Sequence, residues 1–136
     1  MPSLRQASQT SVALSVVSAK KATKPAHLIR GESAEEQAHQ FLLDKGLTPV
    51  CRNYRCPYGE LDLVMLEQGT LVIVEVRFRK TDKYGSALES ITARKQARII
   101  AATQHYLANQ ATDLAIRFDV IALSGDGGLE WVKNAF

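Results

Sequence analysis

Residues 59–80 read GELDLVMLEQGTLVIVEVRFRK, two strand-like runs around a tight turn. The first carries Glu60 and Asp62. The second is β-branched enough to be a central strand, yet it holds Glu75, Arg77 and Arg79. Side chains alternate across a strand, so Val72, Val74, Val76 and Phe78 share one apolar face. Leu71, Ile73, Glu75, Arg77 and Arg79 share the other, which begins apolar and turns charged halfway along. Gln68, Gly69 and Thr70 form the turn, so the two runs pair as an antiparallel hairpin. A register that joins the charged halves sets Asp62 beside Glu75. Like charges so placed repel unless a cation lies between them.

Two sources of that cation follow from the residues alone. Arg77 can supply it in a structural ion-pair cluster, and strand-face ion pairs are common. A divalent metal can supply it too. Two carboxylates, a backbone carbonyl and waters make the incomplete oxygen shell that suits Mg²⁺ or Mn²⁺ when a phosphate completes it. Such an ion polarises a phosphate and lowers the pKa of a bound water. Spacing does not choose between the two.

Working outward, the order of elements is α-β-β-β-α-β-β, a mixed α/β sheet flanked by helices. Residues 31–45 form a helix with Ala34, Ala38, Phe41 and Leu42 on its apolar side, Ser33 or an earlier residue as a cap, acids in the first turn and Gly46 as its stop. Strands are expected at 47–55, 60–67 and 71–79. A second helix spans 92–109, with Ala93, Ala97, Ile100, Ala101 and Leu107 marking its buried side. Arg94, Lys95 and Arg98 crowd its start, where they oppose the helix dipole unless a phosphate sits there. A strand at 114–123, the turn SGDGG and a short strand LEWVK complete the chain. Residues 1–26 have no sustained period and read as a flexible basic tail; the folded domain is 27–136.

At 136 residues with 46% hydrophobic and 23% charged residues, the chain suits one ordinary globular domain. No apolar run reaches the roughly 20 residues of a membrane helix, which argues against a membrane partner. Cys51 and Cys56 are too few for a zinc site or a disulfide framework, and they read as reduced thiols in a cytosolic, hence cytoplasmic, protein. The net charge is +3, but its placement matters more. Arg77, Arg79, Lys80, Lys83, Arg94, Lys95 and Arg98 fall in one window, opposed only by Asp82 and Glu89. That clustering suits a polyanion such as nucleic acid, and equally a plain solvated surface.

GE-x-D-L-V followed by VEVR resembles the metal site of the PD-(D/E)xK nuclease superfamily, with its restriction-endonuclease-like fold. RGESAEEQAHQFLLDKG, RNYRCPYGELDLVM, LVIVEVRFRK, YGSALESITARKQARI and RFDVIAL, in that order, resemble the bacterial YraN family of uncharacterised proteins. The resemblance spans residues 30 to 136 and leaves out the tail. It implies a sheet flanked by helices, similar to archaeal Holliday-junction resolvases. It also implies Asp62 and Glu75 as metal carboxylates, Glu35 as the helix glutamate that completes the site through water, and Mg²⁺ or Mn²⁺ as cofactor. Arg77 occupies the place of the motif's lysine. That is a departure: arginine can bind phosphate, but it cannot act as a general base. Lys80 or Lys95 can stand in for the missing lysine.

The function implied is a metal-dependent endonuclease-like protein that binds DNA and hydrolyses phosphodiester bonds. The alternative is a nucleic-acid-binding module of the same fold without catalysis. Arg77, Arg79, Lys80, Lys95 and Gln96 are the phosphate-side candidates, with Tyr84 at the rim of the site. Glu60 is either an extra ligand or a surface acid. Tyr54 reads as a packing residue and His39 as a partly exposed one. His27 and His105 give no signal. Asp119, mid-strand in an apolar run, should pair with a buried arginine or a backbone donor, and Trp131 reads as core or a dimer contact. Nucleases acting on two strands often pair up, so a homodimer is an expectation that no particular residue supports.

Overall fold

The computed structural model describes residues 26–80, 91–110 and 112–136, with side chains from Ala34 onward. Residues 1–25 of the expected tail lie outside that range, as does Tyr84, and Ala26, the last residue assigned to the tail, is the first of a helix. The elements are α1 (Ala26–Asp44), β1 (Thr48–Cys56), β2 (Gly59–Glu67), β3 (Thr70–Arg79), α2 (Ala93–Ala108), β4 (Ala115–Ser124) and β5 (Leu129–Val132). This is the expected order, and the strand limits differ from expectation by a residue or so. The result is a five-stranded mixed sheet flanked by two helices, consistent with a restriction-endonuclease-like fold.

The five strands lie in sequence order, β1-β2-β3-β4-β5. All neighbours are antiparallel except β3 and β4, which run parallel. A parallel pair needs a long crossover, and α2 is part of it. The β2–β3 turn has two residues, Gln68 at φ 48° and Gly69 at φ 85°. Both are left-handed, as a type I′ hairpin requires, and the turn fixes the register Glu67↔Thr70.

Each helix covers one face of the sheet. Under α1 lie Leu63, Met65, Val72, Val74, Ile121 and Leu123, packed against Ala34, Ala38 and Leu42. Under α2 lie Val64, Leu71, Ile73, Val120 and Ala122, packed against Ile99, Ala102 and Tyr106. The β3 alternation therefore sorts as expected at its buried end. At its far end Val76 is half-buried and Phe78 is 39% exposed.

Both helices correct part of the sequence reading. Helix α1 begins at Ala26, so Ser33 lies inside it and is not its cap. The apolar period marks only the turns that meet the sheet, not where the backbone starts to coil. Its end is as expected: Gly46 at φ 96° closes a Schellman motif, with Gly46 N donating to Leu43 O and Leu47 N to Leu42 O, both at 3.0 Å. On α2 the buried residues are Ile99, Ala102, Thr103 and Tyr106. The expected face is wrong: Ala93 and Ala97 are exposed, Ile100 is 38% exposed, and Ala101 and Leu107 are half-buried. Ile99 and Ile100 both fit a helical stripe. Thr103 tips the choice, since its hydroxyl donates to Ile99 O at 2.8 Å and can be buried at little cost. His39, read as partly exposed, is 2% exposed.

Candidate functional site

Pairing between β2 and β3 runs from Glu67↔Thr70 to Leu63↔Val74. The next two residues are Asp62 and Glu75, so they meet where the ladder ends. Val76 N, which would otherwise lack a partner on the β2 side, donates to Asp62 Oδ2 at 2.9 Å. A side chain thus takes over from the strand, and β3 continues alone beside β4. This anchors one oxygen of Asp62 against the β3 backbone. Its carboxyl lies close enough to that of Glu75 for the two to shift each other's proton affinity.

Glu75 is 6% exposed. Burial, then the neighbouring Asp62 charge, push its carboxyl up to about 7, against the pull of Lys95. Burial likewise raises Asp62, opposed by the Val76 N–H. Two cations reach the pair: Lys95 Nζ lies 3.3 Å from Glu75 Oε2 and Arg77 Nη1 lies 3.8 Å from it. A buried acid beside a half-buried one, with protonation as the relief of their repulsion, is an arrangement that favours a cation between them.

Lys95 owes its position to the start of α2. Thr92 is the N-cap, and its hydroxyl accepts from Lys95 N at 3.1 Å. Gln96 Nε2 donates back to Ile91 O at 3.2 Å. Gln96, expected to hold phosphate, uses one amide hydrogen to secure the entry to the helix. We expect Thr92→Ala to lower stability by about 1 kcal/mol in urea unfolding. An unchanged midpoint would show that the cap carries no weight.

The remaining candidates divide. Asp62, Glu75, Arg77 and Lys95 come together. Glu35 does not join them: α1 covers the opposite face of the sheet from the one that bears Glu75 and meets α2. Among the described residues, no three His, Cys, Asp or Glu side chains gather as a group that could hold a metal. Glu60 is exposed and sits opposite Arg55 in the β1–β2 ladder, close enough for its charge to raise Asp62. Arg79 is half-buried, and Lys80 is exposed with its carbonyl accepting from Gly125 N at 3.2 Å. Cys51 and Cys56 are free thiols.

Tyr54 packs as expected, edge-on against Tyr106 at 5.1 Å. Its hydroxyl shares a hydrogen bond with His105 Nδ1, a contact the sequence did not signal. Asp119 finds the arginine foreseen for it: Arg117 grips both its oxygens at 2.9 Å. Trp131 is half-buried against the core under α1, edge-on to Phe41 at 5.6 Å, and its indole N–H donates to Asp119.

The two carboxylates are hard oxygen donors, the ligand type that Mg²⁺ and Mn²⁺ take, and water or phosphate would have to supply the other positions of such a shell. Comparison with known proteins extends the picture beyond the site. The model of an uncharacterised protein family, UPF0102, matches residues 34–123. A UPF0102 protein of Saccharophagus degradans is 48% identical over 112 residues, covering 81% of this chain and 94% of its own. One of Nitrosomonas europaea is 47% identical, covering 79% and 92%, and one of Cupriavidus taiwanensis is 49% identical, covering 86% and 89%. No helix among the described residues is long and apolar enough to cross a membrane.

Proposed function

The chain belongs to UPF0102, a family described as uncharacterised, so its activity has to be argued from the site; we propose a metal-dependent, nuclease-like protein that binds DNA and hydrolyses phosphodiester bonds. The observation that carries this reading is the juxtaposition of buried Glu75 and half-buried Asp62, with Lys95 and Arg77 on one oxygen of Glu75.

Asp62 and Glu75 would hold Mg²⁺ or Mn²⁺, with water and phosphate oxygens completing the shell. The ion, when bound, would polarise a phosphate and acidify a water. The chain's own residues do the rest. With the charge of the carboxylates met, Lys95 and Arg77 are freed from Glu75 to bind phosphate. Arg77 offers a fork of donors that fits phosphate oxygens, and its high pKa keeps it from moving a proton. Lys95 sits in the first turn of α2, where backbone N–H groups also favour an anion. Lys80 and Arg79, at the end of β3, extend the basic surface beyond the site.

The test is cleavage of branched, single-stranded and duplex DNA with Mg²⁺ or Mn²⁺. Asp62→Asn and Glu75→Gln should each reduce turnover to background while leaving DNA binding in place. Turnover that survives in both removes the mechanism.

A second reading is favoured by Arg77 itself, which stands in the lysine's place and leans on Glu75. In it the protein binds nucleic acid without cutting. It expects salt-sensitive binding, steeper with each phosphate neutralised, and no turnover. Arg77→Lys separates the two: gained cleavage marks a disabled site, and lost cleavage marks an arginine in use.

A further inference from the structure

We propose that Tyr58 is a stacking platform on which a DNA strand entering the Asp62–Glu75 site lays an unpaired base. The proposal rests on the nucleic-acid reading above and names the substrate class: DNA with an exposed base beside the reacting phosphate.

Tyr58 belongs to the two-residue turn that joins β1 to β2, between the paired Cys56 and Gly59. It is 56% exposed, more than any other large hydrophobic side chain among the described residues. An exposed ring is usually loose, but this one is braced. Its centroid lies 5.7 Å from that of His105, at 58°. His105 is tied by Nδ1 to the Tyr54 hydroxyl, and Tyr54 packs edge-on against Tyr106 in the core. A chain of rings therefore links a surface aromatic to the interior. A ring so held loses little freedom when a partner lands on it.

The surroundings select the partner. The hairpin abuts α2 at its next residue: a Cβ on Gly59 would lie 3.3 Å from Arg98 O. Arg98 is exposed, and one turn earlier Lys95 reaches Glu75. Arg55, also exposed, precedes the turn on β1. Lys95 and Arg98, on successive turns of α2, thus border the way from the acid pair to the ring, while Arg55 on the hairpin sits opposite the exposed Glu60. One apolar ring amid cations is poorly suited to an apolar protein surface. It suits a strand that carries both phosphates and π-faces. In a closed duplex those faces are hidden, so only an unpaired base gains from Tyr58.

The test uses the full chain at low salt without divalent metal, with fluorescently labelled oligo-dT, a blunt duplex and oligo-U. Wild type should bind oligo-dT, Tyr58→Ala about tenfold more weakly, and Tyr58→Phe as wild type does. Duplex binding should be alike in all three. In Tyr58→Trp the new indole should be quenched by oligo-dT. Equal oligo-dT binding by wild type and Tyr58→Ala overturns the platform, as does an equal loss on duplex. Tighter binding of oligo-U overturns the assignment to DNA. If wild type binds none of the three, the nucleic-acid reading itself fails and the platform falls with it.

Discussion

Asp119→Ala should cost the protein about 3–5 kcal/mol, much of the stability a domain of this size has. Asp119 is fully buried and accepts from four donors. Arg117 Nε and Nη2 each reach it at 2.9 Å, Trp131 Nε1 at 2.9 Å and Asn134 N at 3.0 Å. Arg117 also donates to Glu67 at 2.8 Å. One carboxylate thus joins β4 to the end of β2, to β5 and to the C-terminal segment. Alanine would leave an indole N–H and a backbone N–H without acceptors, and a guanidinium with half its charge balance gone. Asp119→Asn keeps an acceptor and should cost less, about 1.5–3 kcal/mol. Urea unfolding at unchanged slope measures both. A loss under about 1 kcal/mol for alanine would mean that the network contributes geometry rather than stability.

Glu75→Gln should do the opposite and stabilise the metal-free protein at pH 8. Glu75 has an ordinary value of 4.5 and is pushed up to about 7 in the fold by burial and by Asp62. Below about pH 4.5 both folded and unfolded chains hold the proton, and the site carries no penalty. Between there and about pH 7 the unfolded chain releases its proton first, so stability falls as pH rises. Above that window the loss is complete. A shift of this size corresponds to about 3 kcal/mol at most, and the lost ion pair with Lys95 offsets some of it. We expect glutamine to gain roughly 1–3 kcal/mol at pH 8 and nothing near pH 4.5. Thermal unfolding across that range tests it. A variant less stable than wild type at pH 8 would show that Lys95 and Arg77 already satisfy the carboxylate. A gain would mark Glu75 as a residue kept at the expense of stability, as functional groups often are.

Much of this was legible in the sequence, for a reason that lies in β-geometry. A strict period of two, a short turn and two acids at fixed offsets leave little freedom, and Asp62 and Glu75 meet as the alternation requires. Helix faces are less constrained. Adjacent Ile99 and Ile100 each fit an apolar stripe, and alanines fit on either side, so the buried face of α2 depended on what the sheet offered it. The bond from Thr103 to Ile99 O could have favoured the right face, but a threonine in a helix gives no such notice. Glu35 shows another limit: helix periodicity says which residues share a side, not which face of the sheet the helix covers. His105 was silent because its partners, Tyr54 and Tyr58, lie some 50 residues away in the chain. Asp119 was the easiest inference, since an acid in a buried strand must find a donor.

The central claim is that Asp62 and Glu75 are held together to take a divalent cation. Calorimetric titration of Mn²⁺ into the wild-type protein and into Asp62→Asn and Glu75→Gln tests it most directly. One ion per chain should bind to wild type, and each substitution should abolish or sharply weaken that binding. No binding by wild type, or equal affinity in the two variants, would contradict it and leave the acids as partners of Lys95 and Arg77 alone.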